Sequence, residues 1–171
     1  MRFVLQIAWA AIALAFSVQQ AAFAQETIAL AIEGWRQESR DGVVYYRCAS
    51  QICAAGSVVS YKAQPHRTTL TLADFENHHR WLAERNAGSR NIHAVRIAGA
   101  RERSIEGVRV MQISREVDWS DKTTTFTIEA RLIGPQRSFS LVSDSPKREW
   151  TANNFDGFLR SMVPIAGLRT Q

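Results

Sequence analysis

Cysteine is scarce in this 171-residue chain: Cys48 and Cys53 are the whole supply, and there are four prolines. The Cys-x4-Cys spacing departs from the Cys-x-x-Cys of thioredoxin-like redox enzymes, and no second pair exists to complete a zinc site. No GxSxG elbow surrounds any serine. Gly99 and Gly107 flank charged residues without forming GxGxxG or GxxxxGK, so no glycine loop to cradle phosphates is encoded. Four histidines, His66, His78, His79 and His93, are available, but no HExxH occurs. His78 and His79 are adjacent, so on a helix they diverge by about 100° and do not share an ion. Asp74 and His78, four apart, read as a surface ion pair or hydrogen bond. Glu33, Glu38, Glu102, Glu106, Glu116 and Glu129 show no setting that marks a glycosidase pair. No metal or cofactor is expected, and enzyme activity recedes by elimination.

What is present begins at the N-terminus. Met1-Arg2 is followed by a nearly apolar run, FVLQIAWAAIALAFSV, and Ala22-Phe23-Ala24 places small residues at a cleavage site. This three-part layout is that of a secretory signal peptide. Gln6, Gln19 and Gln20 leave the run short of the ~20 apolar residues of a membrane span. The expectation is a cleaved signal peptide over residues 1–24 and a single domain over residues 25–171, periplasmic or secreted. In an oxidising compartment Cys48 and Cys53 are expected to pair, and closing so short a loop contributes about 2 kcal/mol.

The formal net charge is +5. An exported basic protein is expected to meet anionic headgroups or an acidic protein face rather than nucleic acid, although a modest excess also serves solubility alone. Arg96, Arg101, Arg103 and Arg109 cluster around an expected turn, with Glu102 and Glu106 between them. These four, with Tyr45 and Trp81, form the candidate binding surface, because aromatic and arginine side chains are enriched at interfaces.

Strand and helix periods alternate along the chain. Residues 32–48 read as a β-hairpin turning at Asp41-Gly42, where a type I′ turn needs two positive φ angles. A third strand is expected over Gly56–Lys62, with the disulfide at the bend. Thr71-Leu72-Ala73-Asp74 has the capping-box pattern, and Leu72, Phe75, Leu82 and Ala83 share a helical face with His79, read as a partly buried histidine with its partners satisfied. Trp81 projects roughly opposite. Strands are predicted over 91–100, 107–119, 123–133 and 137–144. In the third of these, Phe126, Ile128, Ala130 and Leu132 face the core, and Thr127, Glu129 and Arg131 face out. A closing helix carries Phe155, Phe158, Leu159 and Met162 on one side and ends before Pro164. The class is α+β: an antiparallel sheet covered by two amphipathic helices.

The stretch RSFSLVSDSPKREWTANNFDGFLRSM, residues 137–162, runs as a late strand, a polar break and an amphipathic helix. With the order of elements before it, it resembles the Mog1/PsbP-like fold. The resemblance implies a hairpin and first helix ahead of a meandering antiparallel sheet, with a C-terminal helix packed on it. It further implies a non-enzymatic binding or assembly role, as in most members of that fold. Three functions are therefore carried forward: an exported accessory protein binding an envelope protein or anionic envelope component; a carrier of an amphipathic or lipidic ligand; and an enzyme with an unrecognised site. A continuous basic-aromatic surface would favour the first, a deep apolar cavity the second, and a buried polar cluster around His79 or His93 the third.

Overall fold

A computed structural model describes Leu30, residues 32–89 and residues 91–169; the expected signal peptide lies outside the described residues. Seven strands form one antiparallel sheet: β1 (Trp35–Arg40), β2 (Val43–Cys48), β3 (Val58–Gln64), β4 (Ile92–Ile105), β5 (Val108–Trp119), β6 (Thr124–Ile133) and β7 (Ser138–Ser145). Their spatial order is β1-β2-β3-β7-β6-β5-β4. Helix α1 (Leu72–Asn86) connects β3 to β4, and α2 (Arg148–Gly167) follows β7.

The local signals act as expected. Asp41 and Gly42 both have positive φ, 52° and 72°, and turn β1 into β2. Cys48 and Cys53 are bonded, with 5.7 Å between their Cα atoms, and staple the bend between β2 and β3. Thr71 Oγ1 accepts from the Asp74 amide and the Asp74 carboxylate accepts from the Thr71 amide, closing the capping box on α1.

Three expectations need correction. The Arg/Glu-rich stretch is strand, not turn: β4 runs through Arg101–Ser104, and Glu106 and Gly107, at φ 51° and 77°, make the reversal. An edge strand has one free side and tolerates charges that would be costly in a central one, and on the edge such charges discourage pairing with another sheet. Helix α2 continues through Pro164 to Gly167. A proline costs the helix one hydrogen bond, but Met162, Val163 and Ala166 are buried beyond or beside it, so packing carries the last turn. Gly134, between β6 and β7, explains how this end fits: a Cβ there would lie 1.8 Å from the Ala166 carbonyl oxygen.

The third correction concerns coverage. Strand alternation sends Val44, Tyr46, Val59, Tyr61, Val110, Leu132 and Leu141 to one face, where Phe155, Phe158, Leu159 and Met162 of α2 complete the main core. The opposite parity sends Met111, Ile113 and Ile133 to the other face, where Phe75 of α1 makes a smaller cluster. Helix α1 lies chiefly on β4 and β5. Among the described residues, no helix packs over β6, β7 and β3 on that side.

Candidate functional site

The strand register fixes what lies on this open face. One row crosses the sheet as Met111, Arg131, Ser140, Lys62 and Val43; the next as Ile113, Glu129, Val142, Ser60 and Tyr45; a third as Arg115, Thr127, Asp144, Val58 and Arg47. The residues predicted to face out do so, yet they are not simply solvated. Thr127 is buried, and Glu129, Arg131 and Asp144 are half-buried. Helix α1 forms the wall beside them and the segment from Pro65 to Thr71 forms one end.

Burial sets the electrostatics of the floor. The Glu129 side chain is 21% exposed; its carboxylate lies 3.3 Å from the Arg115 guanidinium and 3.8 Å from His79 Nε2. Burial pushes the Glu129 carboxyl up, and the charges of Arg115, Arg131 and His78 only partly offset it. Asp144 is also raised by burial, although it accepts a 2.6 Å hydrogen bond from Thr127 Oγ1. His79 is 4% exposed and held down to about 4, by burial first and then by Arg115, His78 and Arg131. Its Nδ1 has no hydrogen-bond partner among the described residues. The expectation of a buried histidine is met; the expectation that it is satisfied is not.

At the end of the face, a cleft of about 220 Å³ is lined by Gln64, Pro65, Arg67, Leu70, Arg131, Ile133 and Ser138. A second hollow of about 480 Å³ lies at the far end of β5, lined by His93, Asp118, Trp119 and the β5–β6 turn. There Asp118 is already engaged by Arg96 and by Thr124 Oγ1 at 2.9 Å. Both hollows mix polar and apolar walls. Among the described residues no group of three His, Cys, Asp or Glu is placed to hold a metal ion.

The candidate residues chosen from sequence are scattered by the fold. Arg96, Arg101 and Arg103 extend from edge strand β4 on the α2 side, where they engage Glu116 with Asp118, Gln112, and Asp156 respectively. Arg109 is on the α1 side, 2.6 Å from Glu102, and also donates to the Thr68 carbonyl at 3.2 Å. Tyr45 lies in the second row of the open face, paired with Glu38 of β1 and turned away from Tyr46, whose ring packs on Phe158. Trp81 is 51% exposed on α1, stacked on His78 and covered by the Arg85 guanidinium at 5.2 Å. Arg67, Arg115, Arg131 and Lys62 were not singled out, because they belong to separate segments that only the strand order brings together.

No protein-family model and no curated protein matches this sequence. Solved structures do match its fold. PA94 of Pseudomonas aeruginosa, a protein of unknown function, superposes with a TM-score of 0.54 at 8% identity, over 81% of this chain and 89% of its own. Cyanobacterial PsbP (CyanoP) of Synechocystis sp. PCC 6803 gives 0.53 at 15% identity, over 78% of this chain and 81% of its own. At such identities the likeness is one of fold alone. Its architecture is PsbP-like.

Proposed function

We propose that this chain is an exported, non-enzymatic accessory domain that binds an anionic component of the cell envelope through the open face of its sheet. The observation carrying the reading is the charge of that face. By register Arg36, Arg40, Arg47, Lys62, Arg109, Arg115 and Arg131 share it, against Glu38, Glu102, Glu129 and Asp144. Such an excess steers an anionic partner towards the surface and sets its orientation. The Cys48–Cys53 bond fits a non-cytoplasmic, oxidising compartment, and the periplasm is the assignment we favour together with the N-terminal leader.

The cluster around His79 is the feature that would favour an enzyme. Its geometry speaks for binding instead. His79 sits on the buried side of α1, 4% exposed, with its Nε2 3.8 Å from a Glu129 carboxylate oxygen, so the imidazole is turned into the packing between helix and sheet. A general base must reach the proton it removes. The carrier reading draws no support from the two hollows described above, whose walls are polar as well as apolar.

The test is capture of envelope material by the processed protein, compared across two charge reversals. Arg47→Glu with Lys62→Glu is expected to abolish capture, and 0.5 M salt to weaken it; Arg103→Glu, on the α2 side, is expected to leave it intact. Capture indifferent to the Arg47/Lys62 pair would overturn the assignment of the face.

A further inference from the structure

The cleft at the end of the open face has a composition of its own. Two arginines, Arg67 and Arg131, line it with Ser138 and Gln64, and no acidic residue is among its lining. Neither arginine has an ion-pair partner within 4.0 Å among the described residues. The nearest acid along β6, Glu129, is engaged by Arg115 on the adjoining strand. Arg131 is half-buried, where an unpaired cation is costly; burial pulls its pKa down, Glu129 opposes that, and Arg67 adds to it. The two arginines therefore act on each other as like charges in a partly dry site.

The site is also braced. Arg109, held by Glu102, donates to the Thr68 carbonyl and ties the Arg67-bearing segment to β5. On the opposite side, Ser138 Oγ lies 3.0 Å from His66 Nδ1, and Gln64 Nε2 donates to Ser140 Oγ at 3.0 Å. Leu70, Ile133 and Pro65 supply an apolar wall beside these polar groups.

We infer that this cleft is a phosphate-monoester site, with Arg67 and Arg131 forking the phosphate oxygens and the organic part of the ligand resting on Leu70 and Ile133. A guanidinium presents a planar set of donors matched to phosphate or carboxylate. A carboxylate brings one charge and two oxygens, which leaves two facing cations half-neutralised. A monoester dianion brings nearly two charges and three terminal oxygens, enough for both forks. At about 220 Å³ the cleft has room for a phosphate with a short organic substituent. The inference rests on the open-face reading and names the chemistry of one end of it. The same group occurs on soluble phosphoesters and on lipid headgroups.

Titration calorimetry with glycerol 3-phosphate tests it, with sodium acetate as the carboxylate comparison. The expected result is saturable binding, weakened roughly tenfold or more in Arg67→Gln and in Arg131→Gln, and much weaker heat with acetate. Arg67 is exposed on its loop, so Arg67→Gln keeps the test informative should Arg131→Gln fold poorly. Flotation with vesicles of phosphatidylcholine containing phosphatidic acid separates the sources: Arg67-dependent flotation assigns a headgroup, and its absence beside binding in solution assigns a soluble ester. No binding of glycerol 3-phosphate, or binding unchanged in both variants, overturns the inference. Envelope capture that still depends on Arg47 and Lys62 in that event would leave the open-face function standing.

Discussion

The two faces of one sheet obey different rules here. On the α2 side Tyr46, Leu132, Leu141, Phe155 and Met162 pack into a closed apolar layer, each at most 1% exposed. On the other side the same strands present Arg115, Glu129, Arg131 and Asp144, half-buried and incompletely paired. Period-two alternation allows both outcomes, because every residue turned from one face is delivered to the other. The closed face satisfies itself. The open face leaves charge and hydrogen-bonding capacity unused by the fold, and on the function proposed above stability and binding fall to opposite sides of a single layer.

The largest expected effect breaks the closed side. Phe155 is 1% exposed between α2 and the sheet, and Phe155→Ala should cost about 3–5 kcal/mol through lost burial and the cavity left behind. Val142, on β7 but turned to the open face, should cost about 1 kcal/mol on replacement by alanine. Denaturant unfolding of the two variants measures the contrast. Equal losses would mean that the open face is packed as tightly as the other, and the division of labour would fall.

A second measurement concerns pH. His79 has its folded-state pKa held at about 4, below the ordinary 6.5, so between those values the unfolded chain binds a proton that the folded one refuses. Stability contributed by neutral burial is complete above pH 6.5 and is lost as pH falls towards 4, by on the order of 3 kcal/mol in all. Glu129 and Asp144 act with the opposite sign. Their raised carboxyls take up protons in the folded state first, so their contribution falls as pH rises through their range. The difference between wild type and His79→Gln isolates the histidine. That difference should shrink steadily from pH 7 to pH 4; a flat difference would show that His79 titrates normally and that α1 does not seal it.

Much of the closed face was legible in the chain itself. Phe126 to Leu132 alternate cleanly, Asp41-Gly42 dictates its turn, and Thr71 with Asp74 announces the start of α1. Each of these signals is local. The errors arose where the deciding contact is distant. Pro164 reads as a helix stop unless Ala166 is known to pack against Gly134, and Arg101–Ser104 reads as a turn unless β4 is known to be an edge. The site was the least legible part. Arg67 precedes α1, Arg131 is in β6 and Ser138 begins β7; only the order β3-β7-β6, in which the last strand inserts beside the third, makes them neighbours. Proximity along the chain had instead grouped Arg96, Arg101, Arg103 and Arg109, which the pleat divides between faces. Tyr45 was placed by a sound local argument: consecutive tyrosines in a strand point opposite ways.

The smallest effect on stability should come from Arg131, one of the two arginines to which we assign the ligand. Arg131 is half-buried without an ion-pair partner within 4.0 Å among the described residues, so its charge is a cost to the folded state that nothing within the fold fully offsets. Arg131→Gln keeps much of the side chain's packing and removes that charge. Unfolding free energy at pH 7 should therefore stay within about 0.5 kcal/mol of wild type or rise, in contrast with the loss at Phe155. A residue retained for the fold would behave otherwise, since removing one member of a buried ion pair strands its partner and destabilises strongly. A drop of about 3 kcal/mol in Arg131→Gln would identify such a hidden pairing, with Glu129 the first partner to suspect, and would return Arg131 from the ligand's side of the comparison to the protein's.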